Sequence, residues 1–155
     1  MRKSSFIAAI GLIATLGLGV AVADEASHPA VKARHGIMNL FALNLAQLGA
    51  MAKGQVDYDA EAASKAANNL VLLVQLDQSA MWPQGTDSST MSHTRALPEI
   101  WQDFPGVMEK INALSVAADT MQTAAGTDLA SLQAAMGEVG GACNSCHKAY
   151  RQPEE

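Results

Sequence analysis

The chain has 155 residues and a formal net charge of −5, with 49% hydrophobic, 16% charged and only 5% aromatic residues. That is the length of one domain. The acidic balance argues against nucleic acid or an anionic membrane surface as partner, and suits a soluble carrier or a small-molecule binder.

In chain order, the first feature is an export signal. Arg2 and Lys3 precede an apolar stretch from Phe6 to Val22, and Ala21-Val22-Ala23 is a small-x-small cleavage site followed by Asp24. Residues 1–23 read as a cleaved secretory signal peptide. An uncleaved anchor is the alternative, because the stretch approaches the length that spans a bilayer; the A-x-A end and the Gly and Ala content favour cleavage. The expected mature domain, residues 24–155, then has 132 residues, 8 basic and 15 acidic side chains and a net charge of −7. It contains no second transmembrane candidate, no repeat and no low-complexity tail, so no membrane contact is expected after cleavage.

The mature sequence is rich in Ala, Leu, Met and Gln and poor in β-branched runs, a helical composition. Apolar spacing predicts four amphipathic helices. The first covers residues 29–53, with stripe Ile37, Phe41, Leu45, Leu48 and Ala52 and Gly54 as stop. The second starts at Asp59 as N-cap with Glu61 in its first turn. It carries Ala63, Ala66, Leu70, Leu73 and Val74 and ends before Trp82-Pro83. A loop over residues 79–97 is long enough to line something. Pro98-Glu99-Ile100-Trp101 predicts a short helical turn. Pro105 opens the third helix, with stripe Val107, Ile111, Leu114, Ala118 and Met121, and Gly126 stops it.

Thr127 is the expected N-cap of the fourth helix, with Asp128 in its first turn. Its stripe is Leu129, Leu132, Met136, Val139, Cys143, Cys146 and Tyr150. Four helices with short links and one long link imply an all-α, antiparallel four-helix bundle. The last helix carries Cys143-Asn144-Ser145-Cys146-His147, a C-x-x-C-H run, the attachment signature of a c-type haem. Two thiols at this spacing can add to the two vinyl groups of one haem, and the next imidazole can reach the iron as axial ligand. On a helix the three residues lie near one face. A thiol–disulfide redox pair, half of a zinc site and a structural disulfide are the alternatives. The first normally opens a helix in a strand–helix unit, which is not the pattern here. The second lacks paired spacing among His28, His35 and His93, and the third leaves His147 as coincidence. A covalent haem c also fits the few aromatic residues, because a porphyrin fills much of a bundle core. Gly137, Gly140 and Gly141, one to two turns before the motif, either let the porphyrin approach the backbone or serve close helix packing.

The mature chain resembles the cytochrome c′ family, the class II c-type cytochromes. The resemblance rests on the C-terminal C-x-x-C-H followed by Tyr150-Arg151, on the P-E-I-W turn, on Arg34-x-x-x-Met38, and on Lys53-Gly54 followed by Tyr58-Asp59. It implies that Cys143 and Cys146 hold the haem and that His147 is the proximal iron ligand. It implies further that Arg34 approaches a propionate, that Met38 stands over the distal face, that Thr94 and Arg95 lie near the haem edge, and that Arg151 lies near the proximal histidine. Where the family often has Gln after the first-helix Arg, this chain has His35. From the residues alone, Arg34 also reads as a solvated helix residue, Met38 as core filler and Arg151 as a dipole-compensating charge. His28, His35 and His93 read as surface residues.

The implied function turns on the sixth coordination position. With Met38 packed over the iron through its carbons, the haem is five-coordinate and high-spin. An apolar pocket of that kind admits NO and CO and excludes anions by their desolvation cost. With the Met38 sulfur on the iron, the haem is low-spin and the protein is a simple electron carrier. The first reading is favoured, with electron transfer to a redox partner protein as a further role. No peroxidase-like distal base is evident, so the chain is not expected to be an enzyme. The expected location is the periplasm. A homodimer through the first two helices is expected, with Leu43, Ala46, Ala50 and Ala62 as its outward surface.

Overall fold

The computed structural model describes residues 28–153; the expected signal peptide, residues 1–23, lies outside the described residues. The helices are α1 (Pro29–Ala52), α2 (Ala60–Gln75), a short α3 (Glu99–Gln102), α4 (Phe104–Ala125) and α5 (Leu129–Tyr150). A 3₁₀ turn, Ser79–Met81, sits in the connection between α2 and α3. The four long helices form the expected antiparallel bundle. Contacts run α1 to α2, α2 to α4, α4 to α5 and α5 back to α1, which closes the ring.

Polar ties fix the orientation at both ends. At one end Gln133 Nε2 on α5 donates to Ala52 O on α1 (2.7 Å), and Tyr58 Oη donates to Ala125 O on α4 (2.8 Å). At the other end Tyr150 Oη donates to Asp103 Oδ2 (2.7 Å), and Leu97 N donates to Tyr150 O (3.0 Å). An isolated antiparallel bridge between Ala96 and Arg151 joins the long connection to the residue that ends α5.

Most element boundaries follow local chemistry. Asp59 caps α2, its Oδ1 accepting from Glu61 N and Ala62 N (2.9 Å each). Gly54, one residue past the Lys53 C-cap, has φ +67°, a conformation open to glycine with little strain. Four expectations shift. His28 is the N-cap of α1, with Nδ1 accepting from Ala30 N (3.3 Å). The third long helix begins one residue before Pro105, under an Asp103 cap. Asp128 rather than Thr127 caps α5, accepting from Ser131 N (2.8 Å), while the Thr127 hydroxyl donates back to Thr123 O (3.1 Å). A carboxylate at a helix N-terminus also answers the helix dipole, which a hydroxyl does not. The second helix ends at Gln75, well short of Trp82, so the long connection starts earlier than expected.

The core is uneven along the bundle. Leu48, Leu70, Met121 and Leu132 are fully buried, and Ala63, Ala66, Ala67, Ala118 and Ala125 let the backbones approach closely. Gly126 belongs to the same tight end: a Cβ there would run into Ser64 Oγ on α2. Towards the other end α4 is less covered. Ile111, expected in the core stripe, is 40% exposed, and Phe104 is 66% exposed. Leu129, also expected inside, is the first residue of α5, beyond the turns its neighbours cover. Spacing marks a stripe but not how far along a helix the neighbouring helices extend.

Candidate functional site

The final turns of α5 carry Cys143, Cys146 and His147, all half-buried. Both cysteines are free thiols. Burial pushes the two thiol pKa values up, and for Cys146 the neighbouring Cys143 adds to the effect. The His147 pKa is pushed down, mainly by burial and then by the cations of Arg151 and Arg95. Before any group is attached, these directions favour protonated thiols and a neutral imidazole at neutral pH. A thiol–disulfide catalyst needs the reverse, a depressed thiol pKa at a helix N-terminus, and these cysteines stand at the C-terminal end of a 22-residue helix. Among the described residues no group of three His, Cys, Asp or Glu is arranged to hold a metal ion on its own, so the zinc alternative lacks its ligands.

Before the motif, α5 carries three exposed glycines. A Cβ added at Gly137, Gly140 or Gly141 would meet no atom within 4 Å outside its own helix. The close-packing explanation for these glycines therefore fails, and they leave an open backbone face leading to the thiols. Phe104, Met108 and Ile111, at i, i+4 and i+7 on α4, add exposed apolar surface at the same end of the bundle. Free thiols, a neutral imidazole and a side-chain-free approach fit a flat, covalently tethered porphyrin with an imidazole axial ligand.

Arg34, on α1, is 4% exposed, so it is not a solvated helix residue. Its Nη1 donates to Met81 O (3.0 Å) and Thr86 Oγ1 (2.7 Å), and its Nη2 to Thr86 O (2.6 Å) and Thr94 Oγ1 (3.4 Å). The guanidinium lies 4.8 Å from the ring centroid of Trp82 and 5.9 Å from that of Trp101, within cation–π range. Trp101 Nε1 in turn donates to Trp82 O (2.9 Å). Arg34 thus clamps the long connection. Burial lowers its pKa, with partial opposition from Asp87. The roles of Thr86 and the two tryptophans around Arg34 escaped the sequence reading, although Trp82-Pro83 and the P-E-I-W turn stand out in it.

The remaining expected residues divide by position. Thr94 is buried, and its Oγ1 also accepts from Ala96 N (3.2 Å). Arg95 Nε donates to Gln152 O (2.8 Å). Met38, one turn after Arg34, is 41% exposed and is not core filler, although Ile37 and Phe41 beside it are buried. His35 is exposed. Arg151 is the C-cap of α5, its N donating to His147 O (3.0 Å). With Arg95, Asn144, His147 and Lys148 it lines an open groove of about 380 Å³ on the His147 side.

An antiparallel bundle with C-x-x-C-H on the inner side of its last helix defines a c-type cytochrome of the helical class. The profile of the Cytochrome C′ family matches residues 29–151. The chain belongs to this family, whose members hold one covalent haem c. It is similar to a cytochrome c-554 of Cereibacter sphaeroides, 46% identical over 124 residues and covering 80% of this chain and 81% of that one. Its fold is similar to the solved cytochrome c′ from Rhodobacter spheriodes, at TM-score 0.79 and 41% identity, covering 81% of this chain and 96% of the other. A variant of cytochrome c prime from Alcaligenes xylosoxidans, solved in complex with nitric oxide, has TM-score 0.70 and 33% identity over 81% of this chain and 94% of its own; a carbon monoxide complex of the same protein is also known.

Proposed function

We propose that this chain is a periplasmic cytochrome c′ that binds NO and CO at a five-coordinate, high-spin haem and passes electrons to a partner protein, without acting as an enzyme. Cys143 and Cys146 hold the porphyrin through thioethers, and His147 supplies the proximal imidazole, kept neutral by burial and by Arg151 and Arg95. The haem supplies an iron centre that can change oxidation state and accept a diatomic ligand. Met38 stands on the distal side, Arg34 lies toward a propionate, Thr94 lies near the haem edge, and Arg151 flanks the proximal face.

The observation that carries this reading is the chemistry of α1 at that end. The donors of Arg34 go to the connection, and the residue one turn on is the apolar Met38. A distal side without a hydrogen-bond donor does not stabilise polarised dioxygen and disfavours anions, yet it admits neutral diatomics. The NO and CO complexes of a relative support the same ligand class. A homodimer through α1 and α2 is part of the proposal. Leu40 and Leu43 on α1, Leu72 on α2 and Leu76, the residue that caps its C-terminus, are each about half exposed, and Ala46 and Ala62 are exposed as well. Ala50 is only half-buried and, with Ala62, lines a shallow groove of about 370 Å³.

The test is the visible spectrum of the holoprotein, ferric and reduced, with and without CO. A high-spin spectrum that changes on adding CO supports the reading. A low-spin spectrum indifferent to CO, with a thioether-to-ferric charge-transfer band, would make Met38 a ligand and the protein an electron carrier. Absence of any haem spectrum from cells competent in c-type maturation would sink both.

A further inference from the structure

His147 lies in the last turn of α5, and that turn is fastened from outside the helix. Tyr150, one turn on, is buried, and its hydroxyl donates to Asp103 Oδ2 (2.7 Å). The other oxygen of the same carboxylate, Oδ1, accepts from Gly106 N (3.1 Å) and so caps α4. One carboxylate therefore ties the last residue of α5 to the first turn of α4. Gly106 is part of the joint: a Cβ there would strike both the Asp103 carboxylate and the Tyr150 hydroxyl. The backbone of Tyr150 is held as well, its carbonyl accepting from Leu97 N (3.0 Å).

The bond is charge-assisted and stronger than a bond between neutral groups. The two groups hold each other in the required states. Hydrogen bonds from Tyr150 and then from Gly106 push the Asp103 pKa down. The carboxylate in turn drives the Tyr150 phenol up to about 12. Donor and acceptor both persist across the neutral range.

We propose that Tyr150 and Asp103 are positioning residues for the axial ligand: their hydrogen bond sets the tilt and height of the α5 turn that carries His147, and through it the iron–imidazole bond. The proposal rests on His147 being that ligand. An imidazole on a turn pinned to α4 approaches the iron along a fixed line, whereas a freed turn relaxes toward the iron's own preference. Groups that orient a metal-binding histidine tune the metal although they never touch it.

The experiment compares wild-type holoprotein with Tyr150→Phe, Asp103→Asn and a matched control, Tyr58→Phe. The control loses a hydroxyl bond to Ala125 O (2.8 Å) at the opposite end of the bundle. Melting temperature, reduction potential and the ferric electron paramagnetic resonance spectrum are measured for each. Tyr150→Phe is expected to change the ferric/ferrous equilibrium constant roughly three-fold or more, about 28 mV at 59 mV per tenfold for one electron, and to shift the resonance g-values. Asp103→Asn keeps one oxygen to cap Gly106 and puts an amide N–H in place of the oxygen that accepted from Tyr150, so the tyrosine loses its acceptor and the g-values shift in the same sense; this variant decides the matter if Tyr150→Phe does not load haem. Tyr58→Phe lowers the melting temperature but leaves both haem readouts in place. The proposal is overturned if Tyr150→Phe lowers the melting temperature only, as the control does. It is equally overturned if Asp103→Asn moves the potential while neither variant moves the g-values, because that is a charge effect. A wild-type resonance without an imidazole-bound haem signature would instead defeat the assignment of His147, and this proposal with it.

Discussion

At the scale of single residues, what stands out is a buried cation fed by neutral oxygens. Arg34 joins a helix to the long connection, and its partners lie 47 to 60 residues further along the chain. Sequence spacing cannot see such partners, so the residue could be marked as functional while its clamp stayed hidden. Arg34→Ala is expected to lower stability by about 3 kcal/mol, because several acceptors lose a charged donor at once. It should also speed proteolytic cleavage between residues 77 and 97 well before the helices are cut, as read by limited proteolysis and mass spectrometry. Asp103 gives a prediction in pH. Its pKa is depressed in the folded state, so its contribution is fully present above the unfolded value of about 3.9 and is lost as pH falls through the lower folded value. Denaturant titrations should therefore find wild type more stable than Asp103→Asn at pH 6, with the gap closing below about pH 3.9 as the carboxyl protonates. The C-x-x-C-H run was legible for the opposite reason to Arg34: its three groups are contiguous, and a helix alone brings them to one face.

At the scale of elements, the four long helices followed from their periodicity, and the errors gathered at ends. Thr127 and Asp128 are adjacent, both are good capping residues, and composition does not choose between them; hydrogen-bond geometry does. Asp128→Ala should destabilise the protein by about 1 kcal/mol and Thr127→Ala by clearly less, measured by thermal unfolding. The approach of α4 to α2 gives a sharper test. Gly126→Ala should cost about 1–3 kcal/mol by driving a methyl into Ser64 Oγ. With that oxygen removed, the nearest remaining atom is Ser64 Cβ at 3.7 Å, an ordinary contact. Most of the loss should therefore disappear in a Ser64→Ala background, a departure from additivity that a double-mutant cycle reads directly. If the two changes simply add, the close approach is not the reason for glycine at 126.

For the whole molecule, bundle topology and family were readable from helix count, loop lengths and the C-terminal position of one motif. The unequal distribution of the core was not. Alanine-rich helices pack closely at the end that holds Leu48 and Met121 and leave Phe104 and Ile111 exposed at the other, and no single helix encodes how its neighbours share that burial. The outward apolar residues of α1 and α2 bear on assembly. Leu43→Asp, at a residue 56% exposed, should leave the folded monomer intact, since it buries little there, and should shift sedimentation toward the monomer by weakening the proposed dimer at least ten-fold. Unchanged association would remove this face from the interface.

The clamp around Arg34 has one more consequence. The chain has two tryptophans, Trp82 and Trp101, and their ring centroids lie 6.2 Å apart on either side of one guanidinium's reach. Tryptophan emission therefore originates from one pair of neighbouring rings beside the connection, away from the closely packed end of the bundle. In the chain without haem, intrinsic fluorescence watches the strap, and far-ultraviolet circular dichroism watches the bundle. Two optical channels thus separate, without any added label, the fastening of the haem end from the folding of the helices beneath it.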